Sequence, residues 1–325
     1  MATPASPKFV MLPPHSGPAR DWAARLMRDV PEIRLFVPED EAGAIREIAD
    51  ADAAFGFLTP PLLAAASRLR WLQAPFAAPP AGFYYPALIE HELAVTNFRE
   101  IYNDHIGAHI MALVLAFARG LQFYWPRQAR GEWNPKGLRP AVHLPEATAL
   151  IVGLGGIGAE AARLLDAFGV TVLATDARRT DPGPHVRELH GPEQLDSLLP
   201  RADFVILTIP HTPATEGLFD RARFQRMKPL SYFINIGRGM TTRLDDLADA
   251  LAAGEISGAG LDVFEQEPLP SDHRLWHLPG VIITPHVAGR GPYLDERRYE
   301  ILRDNCRQFA RGAALRNVVD KANWF

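Results

Sequence analysis

The sequence has few of the features that mark secreted or membrane proteins. Its 325 residues include one cysteine, Cys306, so no disulfide can form within the chain and a disulfide-rich fold is excluded. The longest uninterrupted apolar run, residues 110–118, is about half as long as the roughly 20 residues of a membrane-spanning helix. The apolar segment at residues 9–12 is too short for a signal peptide. We therefore expect a cytoplasmic protein that binds no membrane.

An excess of charge of either sign is also missing. The chain has 34 basic and 38 acidic residues, which gives a formal net charge of -4. Because no global positive field is present, binding to nucleic acid is not expected. Apolar residues make up 47% of the chain, and this length suits about two domains, each with its own core. These properties favour a globular protein whose partner is a small molecule or another protein.

Short apolar segments alternate with helical patterns in the first hundred residues. Five segments are predicted to be strands: residues 9–12, 33–37, 53–57, 69–73 and 93–97. This alternation is typical of a parallel α/β sheet. A nearly all-apolar helical pattern follows at residues 104–121, and we place a domain boundary near residue 100. Residues 124–144 are rich in Pro, Arg and Trp and have little periodicity, which fits either a surface loop or a dimer contact.

The second half contains six apolar runs of the kind found in a parallel sheet that is covered on both faces. They are residues 149–152, 170–174, 204–209, 232–236, 259–263 and 281–284. Each run is followed by chemically unusual residues, namely the glycines of 153–158, Asp176, Pro210 with His211, Gly237 with Arg238, residues 265–268, and Pro285 with His286. Ligands bind beyond the carboxyl ends of parallel strands, so these six segments predict one binding site.

Residues 153–158 match the G-x-G-x-x-G pattern of dinucleotide-binding turns. Gly153 permits a tight turn, Gly155 lets the backbone approach a pyrophosphate, and Gly158 lets the following helix pack on the strand. The N-terminus of that helix carries a partial positive charge that favours phosphate. The turn therefore predicts a dinucleotide site.

The next strand supports this interpretation and bears on the choice of cofactor. It ends at Asp176, where a carboxylate can accept hydrogen bonds from a ribose diol and repel a 2′-phosphate. NAD(H) is therefore favoured. Arg178 and Arg179 follow immediately and leave NADP(H) open, since either guanidinium can pair with a phosphate.

Two further strand ends carry an arginine and a histidine that are candidates for a functional role. Arg238 lies between Gly237 and Gly239, where packing does not explain it. His286 lies between a strand and a glycine-containing turn and is a candidate proton donor.

Taken together, these motifs resemble the D-isomer-specific 2-hydroxyacid dehydrogenases, the family that includes glyoxylate/hydroxypyruvate reductases and phosphoglycerate dehydrogenases. The resemblance covers most of the chain, through residues 71–73, 153–158, 235–239, 261–268, 284–289 and 316–320. It implies two Rossmann-like, doubly wound parallel-sheet α/β domains with a cleft between them. Residues 1–100 and 290–325 would form the substrate domain, and residues 101–289 the NAD domain, through which a homodimer would form.

The resemblance also implies an activity and a role for each site residue. The chain would interconvert a small 2-oxo acid and a D-2-hydroxy acid by hydride transfer with a nicotinamide cofactor. Arg238 would bind the substrate carboxylate and carbonyl, His286 would be the acid/base, and Glu267 would stabilise the imidazolium. No metal is expected. The expected cofactor contacts are Gly153, Gly155, Gly156, Ile157, Gly158, Asp176, Pro210, Ile236, Gly237, Asp262 and Gly289.

The chain departs from the family pattern in the loop expected to hold the substrate carboxylate. This loop is usually glycine-containing, and here Phe76, Ala77 and Ala78 occupy it, followed by two prolines that cannot donate a backbone hydrogen bond. We expect the entrance of the substrate site to be narrower or more apolar than is usual in the family, with Phe76 lining it. A second departure is Gly156, which stands where an arginine is common in the family.

Two other functions remain as alternatives. A formate dehydrogenase of the same superfamily pairs its histidine with a glutamine, whereas this chain has Glu267. An NADH-sensing corepressor would share the fold and dock partner proteins, but the sequence has no obvious docking extension. The residues do not name the acid that is reduced.

Overall fold

The computed structural model describes residues 6–77, 80, 82–135 and 141–322. The chain divides into two compact units, one formed by Met1–Ile101 with Pro292–Phe325 and the other by Tyr102–Gly291. Each unit is built on one parallel sheet with helices between its strands, so the predicted pair of Rossmann-like α/β domains is confirmed. The cleft between the domains and their roles in binding stay predictions.

The first unit has a five-stranded sheet in the order β2-β1-β3-β4-β5. Its strands are β1 (Lys8–Met11), β2 (Arg34–Phe36), β3 (Ala53–Phe55), β4 (Trp71–Gln73) and β5 (Ala94–Thr96). Four helices connect them: α1 (Gly17–Asp29), α2 (Glu41–Ile48), α3 (Pro60–Ala65) and α4 (Pro86–Glu90). Val10, Ala54, Leu72 and Val95 point into one core from four adjacent strands, because alternate residues of a strand share a face.

The second unit has a seven-stranded sheet in the order β12-β11-β10-β9-β6-β7-β8. The strands are β6 (Thr148–Val152), β7 (Thr171–Thr175), β8 (Glu188–His190), β9 (Phe204–Leu207), β10 (Tyr232–Asn235), β11 (Gly258–Leu261) and β12 (Val281–Ile283). The helices are α5 (Asn103–Ala118), α6 (Leu121–Ala129), α7 (Gly156–Ala167), α8 (Leu195–Leu198), α9 (Arg221–Arg226) and α10 (Leu244–Ala252). The chain then returns to the first unit as α11 (Leu294–Ala310).

Both faces of the seven-stranded sheet are buried, which explains its continuous apolar strands. Ile151 and Ile206 belong to a core that includes residues of α5 and α7, while their neighbours Val152 and Leu207 belong to a second core with α10. Successive side chains of a strand point to opposite faces, so a strand covered on both sides must be apolar at every position.

The region after residue 118 differs from the sequence prediction. The helical pattern predicted over residues 104–121 ends at Ala118, since Gly120 adopts a left-handed conformation with φ of 69°. Residues 121–129, part of which was predicted to be irregular, form α6 with Pro126 inside it. Only Gln122 of α6 is buried, so the helix has no apolar stripe that the sequence could reveal.

No single helix among the described residues combines the length and apolar composition of a membrane span. The bent pair of α5 and α6, which meet at 76°, satisfies those criteria only jointly. Most of the apolar residues of α5 are buried in the core of the second unit.

Candidate active site

The glycine turn joins β6 to α7 by a close backbone crossing. Gly153 adopts φ of 98°, a conformation that side chains disfavour. A Cβ atom at Gly158 would lie 2.1 Å from the Gly153 carbonyl oxygen, so only glycine fits there. At Gly155, by contrast, a Cβ would meet no atom within 4 Å. Gly155 is the N-cap of α7 and has no side chain that could bond the first amides of this helix, whereas a Cβ atom at the next residue, Gly156, would lie 2.6 Å from the Asn103 side chain.

Asp176 closes this turn from the end of β7. Its carboxylate accepts hydrogen bonds from the backbone N–H groups of Leu154 at 2.7 Å, Arg178 at 2.8 Å and Arg179 at 2.8 Å. The guanidinium of Arg179 in turn donates to the Leu154 carbonyl at 3.1 Å. The carboxylate expected to bind ribose is thus itself a support of the glycine turn.

The end of β9 supports the turn from the other side. The Thr208 hydroxyl donates to the Gly153 carbonyl at 2.5 Å, a contact that no local sequence pattern predicts. Two residues later, the Pro210 carbonyl accepts a hydrogen bond from the Thr215 hydroxyl at 2.8 Å. Ile157, in the first turn of α7, packs against the core that α5 and α7 share.

Arg238 follows β10 on a loop that a buried amide organises. The Asn235 side chain accepts a hydrogen bond from the Gly237 N–H at 3.0 Å and donates one to the Arg238 carbonyl at 3.2 Å. Ile236 and Gly237, both buried, continue β10 to the arginine. Burial lowers the pKa of the Arg238 guanidinium below its ordinary value, and the negative charge of Glu267 offsets part of this shift.

Close backbone packing brings the Arg238 loop against the turn that carries Glu267. A Cβ atom at Gly239 would lie 1.9 Å from the carbonyl carbon and oxygen of Phe264, so the two backbones are in direct contact. The Phe264 N–H donates to one oxygen of Glu267 at 3.0 Å. Its neighbour Glu265 accepts the Leu244 N–H at 2.9 Å and thereby caps α10, the helix that follows Arg238.

The second oxygen of Glu267 pairs with His286. Glu267 Oε2 lies 2.7 Å from His286 Nδ1, and the imidazole is about half exposed, with 51% of its side-chain surface accessible. Because an ionised carboxylate only accepts hydrogen bonds, this contact assigns a proton to Nδ1. Nε2 is then the ring atom available to a ligand.

Asp262 lies beneath His286 and is almost completely buried. Its carboxylate accepts the N–H groups of Val287 at 2.8 Å and Ala288 at 2.9 Å, and its carbonyl accepts the His286 N–H at 2.8 Å. Gly289 follows, and a Cβ atom there would lie 3.5 Å from the Tyr102 ring. The expected cofactor contact at Asp262 is therefore also the support of the histidine turn.

The predicted substrate loop belongs to the first unit. Phe76 packs edge-on against Phe57, with ring centroids 5.1 Å apart, and its carbonyl accepts the Phe98 N–H at 3.1 Å. The Ala77 carbonyl accepts a hydrogen bond from the Asn97 side chain at 3.0 Å. Ala78 lies outside the described residues.

All of the predicted residues of the second unit lie at or just after the carboxyl ends of six neighbouring strands, from β12 to β7 in sheet order. Sequence reasoning missed three supporting residues, each at or beside a strand end that carries a predicted residue: Thr208, Asn235, and Thr284, whose hydroxyl donates to the Asp262 carboxylate at 2.6 Å. Among the described residues, no group of three or more His, Cys, Asp or Glu side chains is placed to hold a metal ion.

Comparisons with known proteins agree on one family. Residues 111–288 match the model of the D-isomer specific 2-hydroxyacid dehydrogenase, NAD binding domain. A relative from Klebsiella pneumoniae strain 342, named glyoxylate/hydroxypyruvate reductase B, is 37% identical over 74% of this chain and 72% of its own length. Glyoxylate reductase from Korarchaeum cryptofilum is 31% identical over 87% of each chain.

Solved structures are similar over almost the whole chain. A D-isomer specific 2-hydroxyacid dehydrogenase from Xanthobacter autotrophicus Py2, in complex with NADPH and MES, has a TM-score of 0.83 and 25% identity, covering 99% of this chain and 100% of that one. A family protein from Klebsiella pneumoniae 342 has a TM-score of 0.78 and 30% identity, with the same coverage.

Proposed function

The chain belongs to the D-isomer specific 2-hydroxyacid dehydrogenase family, and from this premise we propose that it reduces a small 2-oxo acid to the D-2-hydroxy acid. The observation that carries the proposal is the contact of 2.7 Å between Glu267 and His286, together with the packing of the Glu267 turn against the loop of a partly buried Arg238. Relatives named glyoxylate/hydroxypyruvate reductase point to glyoxylate and hydroxypyruvate as substrates. The comparisons do not favour the formate dehydrogenase or corepressor alternatives.

Each of the three side chains has a distinct role in this reaction. A bound nicotinamide dinucleotide supplies the hydride. Arg238 offers a forked set of donors to the substrate carboxylate and carbonyl, and its partial desolvation strengthens these bonds. His286 donates the proton from Nε2 to the carbonyl oxygen and takes it back in the reverse direction. Glu267 holds the ring through Nδ1 and stabilises the imidazolium.

The glycine turn suits the phosphates of the cofactor. Open space beside Gly155 leaves room for a pyrophosphate, and the uncapped first amides of α7 are donors for it. Ile157, Pro210, Ile236 and Gly289 would line the dinucleotide along the same sheet edge.

For the cofactor we propose that NADP(H) is accepted together with NAD(H). The Asp176 carboxylate already accepts three backbone hydrogen bonds, and two arginines follow it where a 2′-phosphate would need cations. The NADPH complex of the Xanthobacter relative supports this extension of the NAD(H) preference predicted from the sequence.

The choice of cofactor is tested by measuring the Kd of NADH and NADPH from the quenching of tryptophan fluorescence. We expect Arg178→Ala to weaken NADPH binding by about tenfold and NADH binding by less than about twofold. Arg187→Ala is the matched control, since Arg187 directly precedes β8 at the opposite, amino end of the sheet. Equal losses for both cofactors in Arg178→Ala would contradict the proposal.

We also propose a homodimer through the second unit. Four large apolar side chains in the segment after α5 are exposed, namely Leu121, Tyr124, Trp125 and Trp133, and exposed apolar side chains that share one region favour a protein interface there. Light scattering after size exclusion should give twice the monomer mass, and Trp133→Ser should lower it. A monomer at all concentrations would contradict the dimer.

Use of a nicotinamide cofactor also fits the cytoplasmic location expected from the sequence.

The proposed reaction is tested with a substrate panel. Glyoxylate, hydroxypyruvate, pyruvate and bulkier 2-oxo acids are incubated with NADH or NADPH, and oxidation of the cofactor is followed by absorbance. We expect turnover with glyoxylate and hydroxypyruvate and poor turnover with the bulkier acids, because Phe76 would narrow the entrance of the substrate site. No turnover with any acid would contradict the proposal.

A further inference from the structure

We propose that His109 is a positioning residue for the turn that carries His286, and that it acts through Thr284 and Asp262. His109 lies on α5, far from the histidine turn in the sequence. Its Nε2 atom lies 3.1 Å from the Thr284 hydroxyl, and that hydroxyl donates to the Asp262 carboxylate at 2.6 Å. The proposal rests on the proposed function, in which His286 is the acid/base.

The chain of hydrogen bonds has a defined direction. The Thr284 hydroxyl has one proton and donates it to Asp262, so it can only accept from His109. His109 Nε2 must therefore carry a proton. The same nitrogen lies 3.9 Å from Asp262 Oδ1, so a charged imidazole would also be attracted to the carboxylate directly.

Asp262 transmits this support to the turn. One of its oxygens accepts both the Thr284 hydroxyl and the Val287 N–H, and the other accepts the Ala288 N–H. These contacts flank His286, whose backbone adopts φ of 51°, a conformation that is costly outside glycine. A strained residue persists only where its surroundings hold it, so loss of a partner of Asp262 should loosen the presentation of His286.

The other end of the chain of hydrogen bonds is rigid. Ile110 and Val114 of α5 are completely buried in the core of the second unit. Gly107, two residues before His109, packs so closely on α7 that a Cβ atom there would lie 2.8 Å from the Glu160 side chain. His109 therefore connects the histidine turn to α5, which packs against α7, the helix that begins at the glycine turn.

The test compares substitutions that break the link with substitutions that keep it. His109→Leu removes the donor, and Thr284→Val removes the hydroxyl that connects His109 to Asp262. By contrast, His109→Gln retains an N–H group near the position of Nε2, and Thr284→Ser retains the hydroxyl. His185→Leu is the matched control, because His185 forms a comparable contact of 2.8 Å with Asp166 outside the predicted site.

Steady-state kinetics with hydroxypyruvate separate positioning from binding. We expect His109→Leu and Thr284→Val each to lower kcat by about tenfold while KM changes by less than about twofold. The double variant should be no slower than either single variant, since both break one chain. His109→Gln and Thr284→Ser should stay within about threefold of the unsubstituted protein. The proposal would be overturned if the losses in kcat of the two single variants multiplied in the double variant, or if His109→Gln were as slow as His109→Leu.

A second readout does not depend on turnover. NMR of the ring nitrogens should find the proton of His109 on Nε2, and the amide resonances of Val287 and Ala288 should shift in His109→Leu but not in His185→Leu. If no 2-oxo acid is reduced, the proposed function fails while these measurements still decide the link. An unprotonated Nε2, or unchanged amide resonances in His109→Leu, would overturn the positioning role.

Discussion

Gly239→Ala should disable the enzyme by displacing Arg238 from the Glu267–His286 pair. A Cβ atom at this position would lie 1.9 Å from the Phe264 backbone, whereas ordinary contacts begin at 3.4 Å, so one backbone must move by about 1.5 Å. Backbone cannot rotate away as a flexible side chain can. The conformation of Gly239 is not left-handed, so the effect is one of space alone.

The size of this displacement sets the expected loss. A misplacement of about 1 Å in an active site can cost about 100-fold in rate, so we expect kcat/KM to fall by at least about that factor. Phe264 holds Glu267 at 3.0 Å through its N–H, and the movement therefore separates the groups that must act together. Overpacking of this kind also costs about 1–3 kcal/mol of stability.

The assay is the oxidation of NADH or NADPH by hydroxypyruvate at a temperature well below the unfolding midpoint, which is measured for each variant. Gly17→Ala is the control, because a Cβ atom at Gly17 would meet no atom within 4 Å. Gly17→Ala should keep full activity. If Gly239→Ala retained kcat/KM within about threefold, the close contact would not position Arg238.

The remaining predictions concern the acid/base pair, one surface ion pair and the thiol. His286→Gln should lower kcat by about 100-fold or more, and Glu267→Gln by about 10- to 100-fold, both measured by cofactor oxidation; an unchanged kcat in either would contradict the assigned role. Hydrogen bonding to Arg201 lowers the pKa of Glu188 from 4.5 to about 2, so its stabilisation is present above pH 4.5 and lost as the pH falls towards 2. The difference in urea midpoint between the unsubstituted protein and Glu188→Gln should shrink over that range, and a constant difference would refute the pairing. Burial raises the pKa of Cys306, so a thiol reagent should modify it only after unfolding, and fast modification of the folded protein would contradict its burial.

Much of the fold follows from the sequence because both sheets are parallel and buried. A strand covered on both faces is a continuous apolar run, and such runs predicted β6, β7, β9, β10, β11 and β12 to within two residues at each end. The edge strand β8 (Glu188–His190) was missed, since it is only partly buried and has two polar residues out of three. Helix α6 was missed because it contains a proline and buries almost nothing.

The candidate site was predictable in part, for a different reason. Residues at strand ends can be identified from the sequence, since the strand itself places them at one edge of the sheet. Their supports come from other elements, and no local pattern reveals them. Thr208 supports Gly153 from the end of another strand, and His109 contacts Thr284 across a separation of 175 residues in the sequence. Such contacts depend on tertiary packing that the sequence does not display.

The most direct measurement is the reduction of hydroxypyruvate with a nicotinamide cofactor deuterated at the transferred position, followed by analysis of the product. We expect the D enantiomer of the 2-hydroxy acid with deuterium on C2 from the unsubstituted protein, and at least about 100-fold less of it in the same time from His286→Gln. An L or racemic product, a product without deuterium, or an undiminished yield from His286→Gln would contradict hydride transfer assisted by this histidine.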